Sequence, residues 1–172
     1  MDAKTIERLL FSSALLLLAA LMPLLAPPDA YAGVKNSDIP DELRIYREAM
    51  VWFKKAEALI GTPKENSEEH AALFRKVIEI DPSFLEAHYN LGLIYANQKK
   101  IEKAAASFET VLALDHRFNG AIHFMLASLY QETGDDASAI SALEKGLLRN
   151  PRDVKYLRAL AFLQLRGNED EA

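Results

Sequence analysis

Leu91-Gly92-x-x-Tyr95 returns 35 residues later as Leu126-Ala127-x-x-Tyr130, and 34 residues further on, more faintly, as Leu160-Ala161-x-x-Gln164. Behind the first copy stands Ala104-x-x-x-Phe108 and behind the second Ala139-x-x-x-Leu143, again 35 apart. Asp81-Pro82, Asp115-His116 and Asn150-Pro151 follow the same ruler and read as helix ends. A period near 34 with helical spacing inside each copy restricts the chain to stacked helix-turn-helix units. One such pair cannot bury its apolar stripe alone, so neighbours must stack. Gly92 and Ala127 are placed where two helices cross closely, and Ala104 and Ala139 do the same on the facing helix. Tyr95, Tyr130, Phe108 and Leu143 fill the space the small residues leave. Lys99-Lys100 and Gly134-Asp135 are the turns within pairs.

Upstream, Pro40 opens a helix predicted from Asp41 to Ile60, with Leu43, Ala49, Met50, Trp52, Phe53, Ala56 and Leu59 at helical spacing. Gly61-Thr62-Pro63 stops it, and the stretch to Ser67 is a loop. Asn66 with Glu69, and later Ser83 with Glu86, have the spacing of capping boxes. The chain is thus expected to be all-α: a linker over 33–40, a degenerate first helix pair over 41–82, repeats over 83–118 and 119–153, and a terminal helix or incomplete repeat over 154–172.

Residues 1–32 differ in composition from everything after them. Lys4 and Arg8 precede an apolar run from Leu9 to Met22, Pro23 breaks it, and Ala30-Tyr31-Ala32 offers small residues at the positions a signal peptidase reads. A secretory signal cleaved between Ala32 and Gly33 is expected. The alternative is an uncleaved inner-membrane anchor, since Leu9 to Ala26 is just long enough to span a bilayer. Either way the rest of the chain lies outside the cytoplasm, most simply in a periplasm. The chain has no cysteine, which excludes disulfides, thiolate metal sites and cysteine nucleophiles. A net charge of −5 without a basic stripe argues against nucleic acid as a partner.

The residues His88, Leu91, Gly92, Tyr95, Ala104 and Phe108 resemble the tetratricopeptide-repeat family, whose pattern is a large residue, Leu-Gly, Tyr, Ala, an aromatic and Pro at fixed offsets. Pro151 stands at the proline position of the second copy. The resemblance covers 83–166 well and 41–82 loosely, and implies a right-handed solenoid of antiparallel helix pairs. It also implies a concave groove, lined by the first helix of each pair, that takes peptide segments. Mapped onto this sequence, the groove residues are Tyr89, Asn90, Leu93 and Asn97, then Phe124, Ser128 and Gln131, then Arg158 and Phe162, with Glu86, Glu132 and Lys155 beside them. Aromatic residues ringed by Asn, Gln and Arg have the composition of a protein-binding patch. Some family members hold a C-terminal carboxylate through Lys and Asn on this face. Asn90 matches one such position, but Tyr89, Leu93 and Ala159 depart from the pattern, so that clamp is incomplete here.

Catalytic readings find no support. There is no Gly-rich phosphate loop and no Gly-x-Ser-x-Gly elbow. The four histidines lack the spacing of a zinc helix, and His88 and His123 occupy a position that ordinarily holds a packing residue. No catalytic residue, cofactor or metal is expected. The terminal helix is apolar on more than one side: it carries Val154, Leu157, Leu160, Ala161, Leu163 and Leu165, with Phe162 and Ala159 facing elsewhere. It is expected to meet a partner or a second copy of the chain, or to belong to a repeat cut short, since Gly167-Asn168 resembles a turn. The functional expectation is an exported scaffold for protein–protein interaction. The alternatives are an accessory subunit of a membrane-bound maturation or secretion machine, such as cytochrome biogenesis, and, from another class, an enzyme on a repeat scaffold.

Overall fold

The computed structural model describes residues 40–117 and 121–170; the predicted signal segment, its Ala32/Gly33 cleavage site, the linker to 39 and the junction 118–120 lie outside them. Seven helices and no strand make up the described residues: α1 (Asp41–Glu57), α2 (Glu68–Ile80), α3 (Leu85–Asn97), α4 (Ile101–Leu114), α5 (Ile122–Glu132), α6 (Asp136–Arg149) and α7 (Val154–Asp170). The chain divides into two compact units, Met1–Arg47 and Glu48–Ala172. Within the first, the Pro40 carbonyl accepts the amides of Leu43 and Arg44, and Arg44 pairs with Asp41 at 2.6 Å.

In the second unit each helix from α2 onward packs on its neighbour in sequence, and the tightest pairs are α3 with α4 and α5 with α6. The small residues set these crossings. A Cβ built on Gly92 would stand 2.8 Å from the Phe108 ring, so glycine is what lets the aromatic ring seat against the α3 backbone. Ala104, Ala127, Ala139, Phe108 and Leu143 are all buried. Phe53, Phe74 and Phe84 form a ring cluster, with centroids 5.7 Å and 4.9 Å from Phe53, that ties α1 to α2 and to the start of α3.

The turns repeat as the helices do. Lys99 (φ 59) and Gly134 (φ 75) are both left-handed, and 35 residues apart. Lys100 N–H donates to the Tyr95 carbonyl and Asp135 N–H to that of Tyr130, each at 2.9 Å, closing the same Schellman turn twice. The two tyrosines also repeat. Tyr95 Oη accepts from Arg75 of α2 at 3.3 Å, and Tyr130 Oη donates to Glu109 of α4 at 2.5 Å, so each reaches the second helix of the preceding pair.

Helix starts depart from expectation in two places. Ser67, not Asn66, caps α2, accepting from His70 N–H at 3.1 Å. Asn66 is left-handed at φ 61, which removes it from the cap position. At α3 the Ser83 hydroxyl donates to Asp81 Oδ1 at 2.7 Å and does not cap the helix. Buried Phe84 takes the cap position, so core packing outweighs a surface hydrogen bond there. α1 becomes irregular after Glu57 rather than Ile60, tightening through Leu59 and Ile60 into the left-handed Gly61. α7 does not turn at Gly167 but stays helical to Asp170.

Candidate functional site

The first helices α3, α5 and α7 carry the predicted groove residues. On α3, Tyr89 and Leu93 are half-buried against the core, and the Tyr89 ring lies 6.0 Å from that of Phe108. Asn90 donates to the Glu86 carbonyl of its own helix at 2.8 Å. Asn97, at the exposed end of the helix, reaches Asn66 Oδ1 at 3.2 Å, while neighbouring Gln98 donates to the Asn66 carbonyl at 2.7 Å. The 61–67 loop therefore pins one edge of the face. On α5, Phe124 is half-buried, Ser128 donates back to the Phe124 carbonyl at 3.0 Å, and Gln131 is partly exposed. On α7, Arg158 is exposed, and Phe162 is 59% exposed with the Arg166 guanidinium 5.8 Å over its ring. The helices thus present a graded surface: aromatic bodies half-sunk on α3 and α5, and an open aromatic on α7.

What holds α7 against α5 was not legible in the repeat pattern. Buried Tyr156 lies edge-on to Phe124 at 5.5 Å, and its hydroxyl accepts the Phe124 amide at 3.1 Å. That amide is in the first turn of α5, which has no side-chain cap of its own. Gly146 of α6 makes the space: a Cβ there would fall 2.0 Å from the Tyr156 ring. A glycine inside a helix was the available signal. On α1, Lys55 Nζ stands 4.0 Å over the Trp52 ring, a cation–π pair outside the predicted set.

The sequence ruler now has its counterpart in space. Family models for the tetratricopeptide repeat match residues 85–118 and 121–153. The chain carries two tetratricopeptide repeats. Among solved structures it is similar to a protein named MamA, at 21% identity over 72% of this chain and 71% of that one, with a TM-score of 0.60. It is similar to the second tetratricopeptide-repeat domain of human RPAP3, solved with an HSP70 peptide (16% identity, 70% and 98% covered, TM-score 0.60). The N-terminal domain of stress-induced protein-1 from C. elegans gives 17% identity, 70% and 97% coverage and a TM-score of 0.62. A comparison with curated protein sequences gave no match. At these identities the likeness is one of fold.

The histidines serve the repeat framework. Burial pushes the His70 imidazole below its ordinary value, against the opposing pull of the Ala56 carbonyl and Glu65. Its Nδ1 accepts the Asn66 amide at 3.2 Å, which requires the neutral ring. Burial does the same to His123, helped by Arg149 and Lys145. His88 Nε2 meets the Pro82 carbonyl at 2.9 Å. Among the described residues no three His, Asp or Glu stand together as a metal site would need. A cleft of about 330 Å³ opens between α4 and α6 over α5, with Glu109, Tyr130, Ser138 and Lys145 at its polar wall and no predicted groove residue in its lining. Burial and the Glu109 carboxylate push the Tyr130 phenol up to about 12, so it stays a donor to that carboxylate.

Proposed function

We propose that this chain is a scaffold that holds a peptide segment or a folded partner against the face built by α3, α5 and α7. One observation carries the reading. Tyr89 and Phe124 stand on the first helices of the two matched tetratricopeptide repeats and Phe162 on the helix that follows them, α7, among Asn90, Asn97, Gln131 and Arg158. Aromatic bodies anchored in a rigid array lose little freedom on binding, and the amides and the guanidinium around them give direction to a polypeptide backbone. Peptides held by solved repeat domains of the same fold support a polypeptide as ligand. The partner segment is apolar or aromatic with polar flanks. It is not read through a terminal carboxylate, because Tyr89 and Leu93 replace the charged and amide groups such a clamp needs.

We place the scaffold outside the cytoplasm on the strength of residues 1–32 alone, released by cleavage between Ala32 and Gly33 or held at the membrane by the same segment. Radiosequencing of the protein recovered from an exported fraction tests this: a chain starting at Gly33 supports release, and a chain retaining Leu9–Ala26 supports an anchor. Binding is tested with variants that leave the core alone. Arg158→Glu with Gln131→Ala is expected to lose the partner while keeping the helical circular dichroism of the parent. Retention of the partner by that variant contradicts the assignment of this face.

A further inference from the structure

The crevice between the second helices of successive pairs recurs along the array, and two of its copies are built differently. Between α2 and α4 it is covered and its charges are paired. Arg75 donates to Tyr95 Oη and pairs with Glu68 at 2.7 Å, and Glu68 also takes Lys100 at 2.9 Å. The Lys100 and Lys103 ammonium groups each lie 5.7 Å over the Tyr95 ring. One repeat on, Glu109 stands where Arg75 does and Ser138 where Lys103 does, at shifts of 34 and 35 residues. A carboxylate has replaced the guanidinium, and a short hydroxyl has replaced the long covering lysine. Here, between α4 and α6, the cleft of about 330 Å³ opens. That volume lies within the range of small-molecule sites, roughly 300–1,000 Å³.

The charges of this cleft are unpaired. Glu109, on the α4 wall, accepts from the neutral Tyr130 phenol and forms no ion pair among the described residues. Lys145, on the α6 wall, has neither an ion pair nor a hydrogen bond among them, and the Ser141 hydroxyl one turn before it has no partner either. His123, also in the lining, is 8% exposed, and its Nδ1 has no hydrogen-bond partner. Polar groups that a fold buries or confines without partners are exceptions that call for a missing one. Leu112, Leu126 and Ala142 add apolar surface to the lining. A purely anionic ligand meets Glu109 in this space, and a purely cationic one meets Lys145; a ligand carrying both signs satisfies both walls. We propose that the cleft binds a small zwitterion with an apolar side chain, a free amino acid or a short peptide. Its ammonium meets Glu109, its carboxylate meets Lys145 and Ser141, and its side chain lies over Leu112 and Leu126. No residue of the proposed α3–α5–α7 face lines this cleft, so the site does not rest on the peptide-binding reading.

Proton NMR of the purified protein tests this, read on the imidazole signal of His123, which is assigned by its loss in His123→Gln. The probes are L-leucine and the dipeptide Leu-Ala. At least one should shift the His123 signal saturably while that of His70, on α2 and outside the cleft, stays in place. N-acetyl-leucine lacks the ammonium and leucinamide lacks the carboxylate, and each should bind about tenfold more weakly or worse. Glu109→Gln keeps an acceptor for Tyr130, and Lys145→Gln alters an exposed side chain, so both variants keep the fold. Each should weaken binding of the tighter probe by about tenfold or more. Tighter binding of leucine assigns the site to a free amino acid, and tighter binding of Leu-Ala assigns it to a peptide. Three results overturn the proposal: no saturable shift with either probe, N-acetyl-leucine or leucinamide binding as well as leucine, or binding unchanged in both variants.

Discussion

Gly92 and Gly146 stand at the same kind of crossing, a backbone pressed against an aromatic ring, and each can be tested by one methyl group. Gly92→Ala drives a carbon to 2.8 Å from the Phe108 ring, and Gly146→Ala to 2.0 Å from that of Tyr156. Overpacking of this kind costs about 1–3 kcal/mol, so both variants should unfold at lower urea, Gly146→Ala at the lower of the two. Only the first was legible beforehand, because Gly92 falls in a motif that recurs and Gly146 does not. The buried histidines make a second prediction. Burial lowers the folded-state pKa of His70 and His123, so the unfolded chain takes up protons first as pH falls. Their contribution is complete above the ordinary histidine value of about 6.5 and is lost progressively below it. The urea midpoint should therefore fall between about pH 7.5 and about pH 5.5. A His70→Gln/His123→Gln variant should show a flatter dependence, and an unchanged slope would contradict the assignment.

Helix interiors were read more surely than helix ends. Helical spacing, the repeat period and the capping signals together located the seven helices among the described residues, because each buries an apolar stripe, and burial is the larger energy. Ends are decided by single hydrogen bonds and by the packing of one or two residues. That is why Ser67 displaced Asn66 as a cap and buried Phe84 displaced Ser83. The repeated turn offers a test free of packing effects. A Cβ on Gly134 meets nothing within 4 Å, yet the residue is left-handed at φ 75. Gly134→Ala should cost about 1 kcal/mol from backbone conformation alone. Lys99, at the equivalent position with φ 59, should tolerate Gly without loss. Tyr156→Phe tests the cap that α7 gives to α5. Removing the acceptor of the Phe124 amide should cost about 1 kcal/mol and speed hydrogen exchange in the first turn of α5. Unchanged exchange there would mean the amide finds water instead.

For the molecule as a whole, the array explains why the candidate face is only partly visible from sequence. The register of the repeats says which residues share the first-helix face, but not how far a neighbouring helix buries them. Tyr89 and Phe124 support Phe108 and Tyr156 as well as facing outward, whereas Phe162 stands open. Truncating the half-buried aromatics would mix stability with binding. The decisive measurement is site-specific photocrosslinking in living cells, with the crosslinking residue placed at Gln131 or Arg158 on the face and at Glu144 on the exposed side of α6. Capture of one and the same polypeptide from Gln131 and Arg158, and not from Glu144, is the predicted result. Capture from Glu144 alone, or of unrelated proteins from all three positions, would contradict a binding face on the first helices.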